Sequence, residues 1–134
     1  MLSTAPMQRP RLLIVDDEAL ITFSMRRYFT AQGFEVDCAE TLEDAEDLVG
    51  AFGYDVVIAD LRLTGIGGTE GLDLISCVRE KSPAARTILL TSYGTPEIET
   101  AARERGADVM ILKPKPLPDL AQVVWSLIDL PGGI

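Results

Sequence analysis

The chain has 134 residues, and 12 lysine and arginine residues stand against 21 aspartate and glutamate residues, so its formal net charge is -9. This length suits one domain, and 47% hydrophobic residues are enough to form a core. The negative charge disfavours binding to nucleic acid or to anionic membranes. Since the chain contains no histidine, sites that use histidine as metal ligand, base or nucleophile partner are excluded.

The cysteines and the N-terminus bear on the cellular compartment. Cys38 and Cys77 fit no metal-ligand spacing and are too few for a secreted disulfide framework, so we expect buried thiols. The apolar runs are far shorter than the roughly 18 to 20 residues that span a bilayer. Residues 1–10 lack the apolar segment of a signal peptide and are expected to form a loose tail. We therefore expect a cytoplasmic protein.

Five short apolar segments alternate with segments of helical periodicity. The predicted strands cover residues 11–15, 35–38, 55–59, 87–91 and 109–112. Helical spacing of three and four links Ala45, Leu48, Val49 and Phe52, and again Leu120, Val123, Val124 and Leu127. Five βα units in succession predict an α/β fold, in which a parallel sheet carries helices on both faces.

Capping residues mark several predicted helix ends. Thr41 and Asp44 form a variant of the capping box, and Thr95 precedes a proline and a glutamate that suit a first helical turn. Gly33 and Gly106 stand where helices are expected to stop. These signals agree with the periodicity of the flanking segments.

Polar residues follow four of the predicted strands at their carboxyl ends, the edge at which α/β sheets bind ligands. They are Asp16, Asp17 and Glu18 after the first strand, Asp60 after the third, Thr91 after the fourth and Lys113 after the fifth. Because neighbouring carboxylates repel each other, such a set calls for a hard cation, a shared proton or a lysine counter-ion. An all-oxygen site suits Mg²⁺, which retains several of its waters.

In this order and spacing, the motifs resemble the signature of the response-regulator receiver domain of two-component signalling. They read Ile-Val-Asp-Asp-Glu at 14–18, Ala-Asp-Leu at 59–61, Leu-Thr-Ser at 90–92 and Leu-Lys-Pro at 112–114. The resemblance implies a flavodoxin-like, doubly wound fold of five βα units with strand order 2-1-3-4-5. Residues 11–130 would then be a stand-alone receiver domain without an output domain.

The resemblance also implies the roles of the site residues. These are Asp60 as phosphoacceptor, Thr91 and Lys113 as phosphoryl-contacting groups, and Asp16, Asp17, Asp60 and the backbone carbonyl of Arg62 as the Mg²⁺ site. Asp16 is expected to act mainly through water. The Lys113–Pro114 peptide is predicted to be cis, which would aim the lysine at Asp60.

Three features depart from the family pattern. The loop after Asp60 is longer than usual and rich in glycine, and Thr64 stands where a proline is common. Arg62 and Tyr93 are large, and we expect them to lie on opposite sides of the phosphoryl group and to hinder attack by water. Met110 replaces the aromatic residue that rotates inward in many receivers, so Tyr93 is a candidate for part of that role.

We therefore predict a phosphoacceptor, not an enzyme, that receives a phosphoryl group from a sensor histidine kinase or a histidine phosphotransfer protein. It would lose this group slowly, signal to a downstream protein by contact, and be a monomer or a weak homodimer. One alternative is a pseudo-receiver or adaptor that acts without phosphorylation. The other is a Mg²⁺-dependent phosphatase of the haloacid-dehalogenase type, although Arg62 stands where those enzymes carry a second aspartate.

Overall fold

A computed structural model describes residues 9–63 and 68–129, in which five strands alternate with five helices. The strands are β1 (Arg11–Val15), β2 (Glu35–Ala39), β3 (Val56–Asp60), β4 (Arg86–Thr91) and β5 (Val109–Leu112). The helices are α1 (Ala19–Ala31), α2 (Leu42–Ala51), α3 (Glu70–Lys81), α4 (Pro96–Arg105) and α5 (Leu117–Ile128). Thr64, part of the glycine-rich loop and most of the predicted N-terminal tail lie outside the described residues.

All strand pairs are parallel, and the sheet has the order β2-β1-β3-β4-β5. The predicted strand order is therefore confirmed. The chain winds from β1 outward to β2 and then crosses to β3 on the other side of β1, so the topology reverses between β1 and β3. In doubly wound sheets this reversal opens a crevice at the carboxyl ends of the two strands.

The core lies on both faces of the sheet. Leu12 and Ile14 of β1 pack toward α1 and α5, whereas Leu13 and Val15 pack toward α2 and α3. Successive side chains of a strand point to opposite faces, so a strand covered on both sides must be apolar throughout. This arrangement explains the uninterrupted apolar runs of β1 and β3. It also places the polar residues that follow these strands at the carboxyl edge of the sheet.

The predicted caps are confirmed at both ends of helices. The Thr41 hydroxyl accepts a hydrogen bond from the Asp44 backbone N–H at 3.1 Å, and Thr95 caps α4 in the same way. Gly106 ends α4 at φ +107°, and Gly33 follows α1 at φ +104°, a region that favours glycine. Within the described ranges, no helix combines the length and apolar character needed to cross a bilayer.

Two sequence expectations about burial are wrong. Helix α2 ends at Ala51, so Phe52 lies just beyond the helix, is 44% exposed and stacks under the Arg11 guanidinium. Its backbone is already extended, and the helical spacing therefore continues one residue past the helix. Cys38 and Cys77 are half-buried rather than fully buried.

Candidate functional site

The carboxyl ends of β3, β4 and β5 and the turn after β1 surround one cavity of about 240 Å³. Its lining consists of Asp17, Glu18, Asp60, Arg62, Thr91, Ser92, Tyr93 and Lys113. Asp16 lies directly beside it, in contact with Lys113. The sheet topology thus brings together the acidic residues, the hydroxyl and the lysine that the sequence places at strand ends.

Lys113 joins the two most deeply buried carboxylates of the site. Its Nζ lies 3.2 Å from Asp16 Oδ2 and 3.4 Å from Asp60 Oδ1. Asp16 is 2% exposed and Asp60 is 9% exposed, and burial at this level is costly for a carboxylate without a partner. The peptide between Lys113 and Pro114 is cis, as predicted.

The environment changes the protonation behaviour of Asp60 and Lys113. Burial raises the pKa of Asp60 from 3.8 to about 6, although the Lys113 charge and the Arg62 backbone N–H act in the opposite direction. For Lys113, burial alone would lower the pKa, but the charges of Asp16 and Asp60 outweigh burial and raise it above its usual value. At neutral pH Lys113 is therefore charged, and Asp60 is mostly ionised.

An acidic cluster occupies the turn after β1. Asp16, Asp17 and Glu18 each place a carboxylate oxygen within 4.8 Å of the others. The Asp16 carboxylate also accepts a hydrogen bond from the Glu18 backbone N–H at 2.9 Å. Hard oxygen donors with excess negative charge fit Mg²⁺ or a similar divalent cation. Glu18 was not among the predicted metal ligands, although its position directly after Asp17 was a usable signal.

Thr91 is buried at the end of β4, with 1% of its surface exposed. Its hydroxyl oxygen accepts a hydrogen bond from the Tyr93 backbone N–H at 2.9 Å. A hydroxyl that accepts one hydrogen bond retains its own proton for another acceptor. Thr91 can therefore donate toward the cavity that it lines, and any movement of its hydroxyl is coupled to the backbone at Tyr93.

The two large residues at the rim are in contact with each other. The guanidinium carbon of Arg62 lies 3.5 Å from the centroid of the Tyr93 ring. The sequence suggested two groups on opposite sides of the acceptor, whereas the structure joins them into one stacked pair. Met110 is placed differently, because it is half-buried against the apolar cluster beneath α4 and is not part of the cavity lining.

Comparison with known proteins gives the same family as the motifs. The family model described as the response regulator receiver domain matches residues 12–125. The chain belongs to this family. This receiver is 34% identical over 117 residues to the photosynthetic apparatus regulatory protein RegA of Rhodovulum sulfidophilum. The match covers 87% of this chain but only 62% of that relative.

Solved structures agree with this assignment. A response regulator from Burkholderia pseudomallei, described with a phosphorylated aspartic acid, calcium ion and citrate, has 27% identity and a TM-score of 0.79. The match covers 86% of this receiver and 66% of that chain. A CheY-like receiver domain from Methanospirillum hungatei, at 24% identity and a TM-score of 0.84, shares the fold over 91% of this chain and 95% of its own.

Proposed function

We propose that this receiver accepts a phosphoryl group on Asp60 from a phosphohistidine of another protein, in a Mg²⁺-dependent reaction. The observation that carries this proposal is the position of Asp60, which lines an open cavity with the Lys113 ammonium 3.4 Å from its Oδ1. Phosphorylation replaces the single negative charge of the carboxylate with close to two on the phosphoryl group, and Lys113 provides compensating positive charge at that point. The phosphorylated aspartate of the Burkholderia pseudomallei relative supports the same chemistry.

The transfer exchanges one bond to phosphorus for another. A carboxylate oxygen of Asp60 forms the new O–P bond while the N–P bond to the donor imidazole breaks, and the electron pair of that bond remains on the imidazole nitrogen. Two anionic groups must approach each other, so positive charge and hydrogen-bond donors lower the barrier. Lys113 and the Thr91 hydroxyl supply them from β5 and β4.

The acidic cluster has the donor set for the metal ion. We assign Mg²⁺ to Asp16, Asp17, Asp60 and the backbone carbonyl of Arg62, with Asp16 acting mainly through water. Glu18 joins this set because its carboxylate lies beside those of Asp16 and Asp17. When bound, the ion supplies positive charge that offsets the repulsion between carboxylate and phosphoryl oxygens.

The surface beside the cavity supports a protein as the phosphoryl donor. On α1, Leu20 is 82% exposed and Phe23 is 57% exposed. Leu20 also lines an apolar groove that reaches Leu117 of α5 and shares Lys113 with the acceptor cavity. Exposed apolar side chains next to a reactive cavity are typical of a docking surface. A sensor histidine kinase or a phosphotransfer protein fits this requirement, with a downstream protein as the recipient of the signal.

Intact-mass measurement after incubation with Mg²⁺ and acetyl phosphate tests the proposal. We expect a gain of about 80 Da, the mass of one phosphoryl group, and its loss in Asp60→Asn. Asp47→Asn, which alters an exposed aspartate of α2, is the matched control and should be labelled like the wild type. Labelling of Asp60→Asn contradicts the site, and an absent mass gain supports the pseudo-receiver. Sustained phosphate release without a mass gain supports the phosphatase.

A further inference from the structure

We propose that Arg62 is a phosphoryl-binding residue that rests on the Tyr93 ring until Asp60 is phosphorylated and then moves onto the phosphoryl oxygens. Arg62 has this role only if Asp60 is the phosphoacceptor, as proposed above. The role goes beyond shielding, because the same guanidinium would have two positions, and the state of Asp60 would select between them.

The starting position of Arg62 is within reach of the acceptor. Its backbone N–H is hydrogen-bonded to the Asp60 carboxylate, and its side chain lines the same cavity as Asp60, Thr91 and Lys113. Its guanidinium carbon is 3.5 Å from the Tyr93 ring centroid, a close cation–π contact. Because both residues line one cavity of about 240 Å³, a rotation of the Arg62 side chain would bring the guanidinium from the ring to an acceptor-bound group.

The resting position leaves a hydrogen-bond donor of Arg62 unused. Its Nε is buried and has no hydrogen-bond partner among the residues that the structure describes. A ring face attracts the positive charge but offers no oxygen to this donor, and a buried unsatisfied donor is unfavourable. Phosphoryl oxygens would provide the missing acceptors, and guanidinium groups bind them through two parallel hydrogen bonds.

The charge of the cavity favours the same movement. Lys113 already contacts two carboxylates, at 3.2 Å from Asp16 and 3.4 Å from Asp60. Phosphorylation raises the negative charge at Asp60 from one to close to two, beside the acidic cluster after β1. Lys113 and a bound Mg²⁺ together would not balance this charge. Arg62 is the other cationic residue of the described lining, and its charge does not titrate near neutral pH.

Departure of Arg62 changes the surroundings of Tyr93. The ring is 49% exposed, and the neighbouring Gly94 packs so closely on Leu112, itself 54% exposed, that a Cβ at position 94 would meet the Leu112 side chain. The Tyr93 backbone also bonds the Thr91 hydroxyl. Phosphorylation would thus alter the exposed surface around Tyr93 in two ways, through the loss of the Arg62 cation from the ring and through the hydrogen bond to Thr91. This change would not require an aromatic residue at position 110, where the chain has a methionine.

Side-chain NMR of the full ¹⁵N-labelled chain tests the exchange. In the unmodified protein, the Tyr93 ring current should shift the Arg62 side-chain protons upfield, and Tyr93→Leu assigns and removes this shift. With Mg²⁺ and excess acetyl phosphate, we expect the upfield shift to disappear and the Arg62 Nε–H signal to move downfield. Arg27, which lies 5.9 Å from the Phe23 ring on α1, is the matched control and should be unaffected.

Mass measurement on the same sample separates the possible failures. A complete mass gain with the Arg62 signals still ring-shifted overturns the role of Arg62 and leaves Asp60 as the phosphoacceptor. An absent mass gain overturns both proposals. Equal changes in the Arg62 and Arg27 signals also overturn the proposed movement of Arg62, because they indicate a general effect of the added reagents.

Discussion

At the scale of single residues, Asp60 combines two opposing requirements. The proposed acceptor role needs an ionised carboxylate, but burial disfavours the charged form and raises the pKa of Asp60 to about 6. Lys113 limits this rise, because its ammonium lies 3.4 Å from Asp60 Oδ1. The residue therefore remains ionised at neutral pH, at the expense of folding stability.

This conflict predicts a pH-dependent effect of Asp60→Asn. Because the folded chain holds the Asp60 proton to a higher pH than the unfolded chain, the free energy of unfolding falls as the pH rises from about 4 to 6. The shift corresponds to a cost of up to about 3 kcal/mol at pH 7, which already includes the attraction of Lys113, and solvent screening and the loss of the Lys113 ion pair reduce what a substitution can recover. Without divalent ions, we expect Asp60→Asn to stabilise the protein by about 1 to 2 kcal/mol at pH 7.

Urea unfolding at pH 7 and pH 4 measures this difference. At pH 4 Asp60 is protonated in the folded chain and about half protonated in the unfolded chain, so the gain should nearly vanish. Asp47→Asn on the exposed face of α2 should change stability little at either pH. A gain that is equal at both pH values would show that burial of the Asp60 charge is not its cause.

Arg62 and Tyr93 should set the lifetime of the phosphorylated state. Both line the acceptor cavity, where Arg62 on the phosphoryl oxygens and the Tyr93 ring beside it would hinder in-line attack of water on the acyl phosphate. Replacement of both by alanine should accelerate phosphoryl loss about tenfold, equivalent to about 1.4 kcal/mol of barrier. Decay of the phosphorylated mass after removal of donor provides the rate, and unchanged or slower decay in the double variant would remove the shielding role.

At the scale of elements, the start of α3 is positioned by Gly71. Its backbone N–H bonds the Leu61 carbonyl at 2.9 Å, just after Asp60 in the chain. A Cβ at this position would lie 2.7 Å from the Leu61 Cα and closer still to the Asp60 carbonyl oxygen. The obstruction consists of backbone atoms, so a side chain here must displace α3 or the end of β3.

Gly71→Ala should therefore disturb both stability and the acceptor. We expect a loss of about 1 to 3 kcal/mol, as for other overpacked sites, and slower labelling by acetyl phosphate because Asp60 shifts. Gly50→Ala in α2 is the matched control, because its Cβ would meet only the Lys81 Nζ, at an ordinary contact distance of 3.7 Å. That change should gain up to about 1 kcal/mol from helix propensity. Urea unfolding of both variants measures the free energy of unfolding, which should fall in Gly71→Ala and rise in Gly50→Ala.

The elements also show what the sequence could and could not predict. Strands β1 and β5 match their predicted bounds because buried parallel strands are marked locally by short apolar runs. Phe52 was misplaced because the end of α2 depends on tertiary contacts, including the stacking of Arg11 on its ring. The stack of Arg62 on Tyr93 was missed for the same reason, since residues 31 positions apart meet only after β3 and β4 pair.

At the scale of the whole molecule, the chain has a net charge of -9, and four of its acidic residues meet at the carboxyl edge of the sheet. The turn after β1 holds three carboxylates, and the adjoining cavity adds Asp60, while Lys113 and Arg62 are the cations of the described lining. Like charges gathered in this way oppose folding, and the remaining imbalance is what a divalent cation would remove. Stability and metal binding should therefore be linked.

This linkage predicts that Mg²⁺ raises the midpoint of thermal unfolding. A ligand that binds only the folded chain adds about 2.7 kcal/mol at a hundred times its dissociation constant. Asp17→Asn should remove most of this gain, because it takes one carboxylate from the acidic cluster. Asp17 is exposed, so the substitution itself should disturb the fold little. Asp47→Asn, at an exposed position of α2, should retain the gain. Bound Mg²⁺ should also favour ionised Asp60, and so reduce the fall in stability between pH 4 and 6. If sodium chloride of equal ionic strength stabilises the wild type as much as Mg²⁺ does, general screening explains the effect and the acidic cluster is not a metal site.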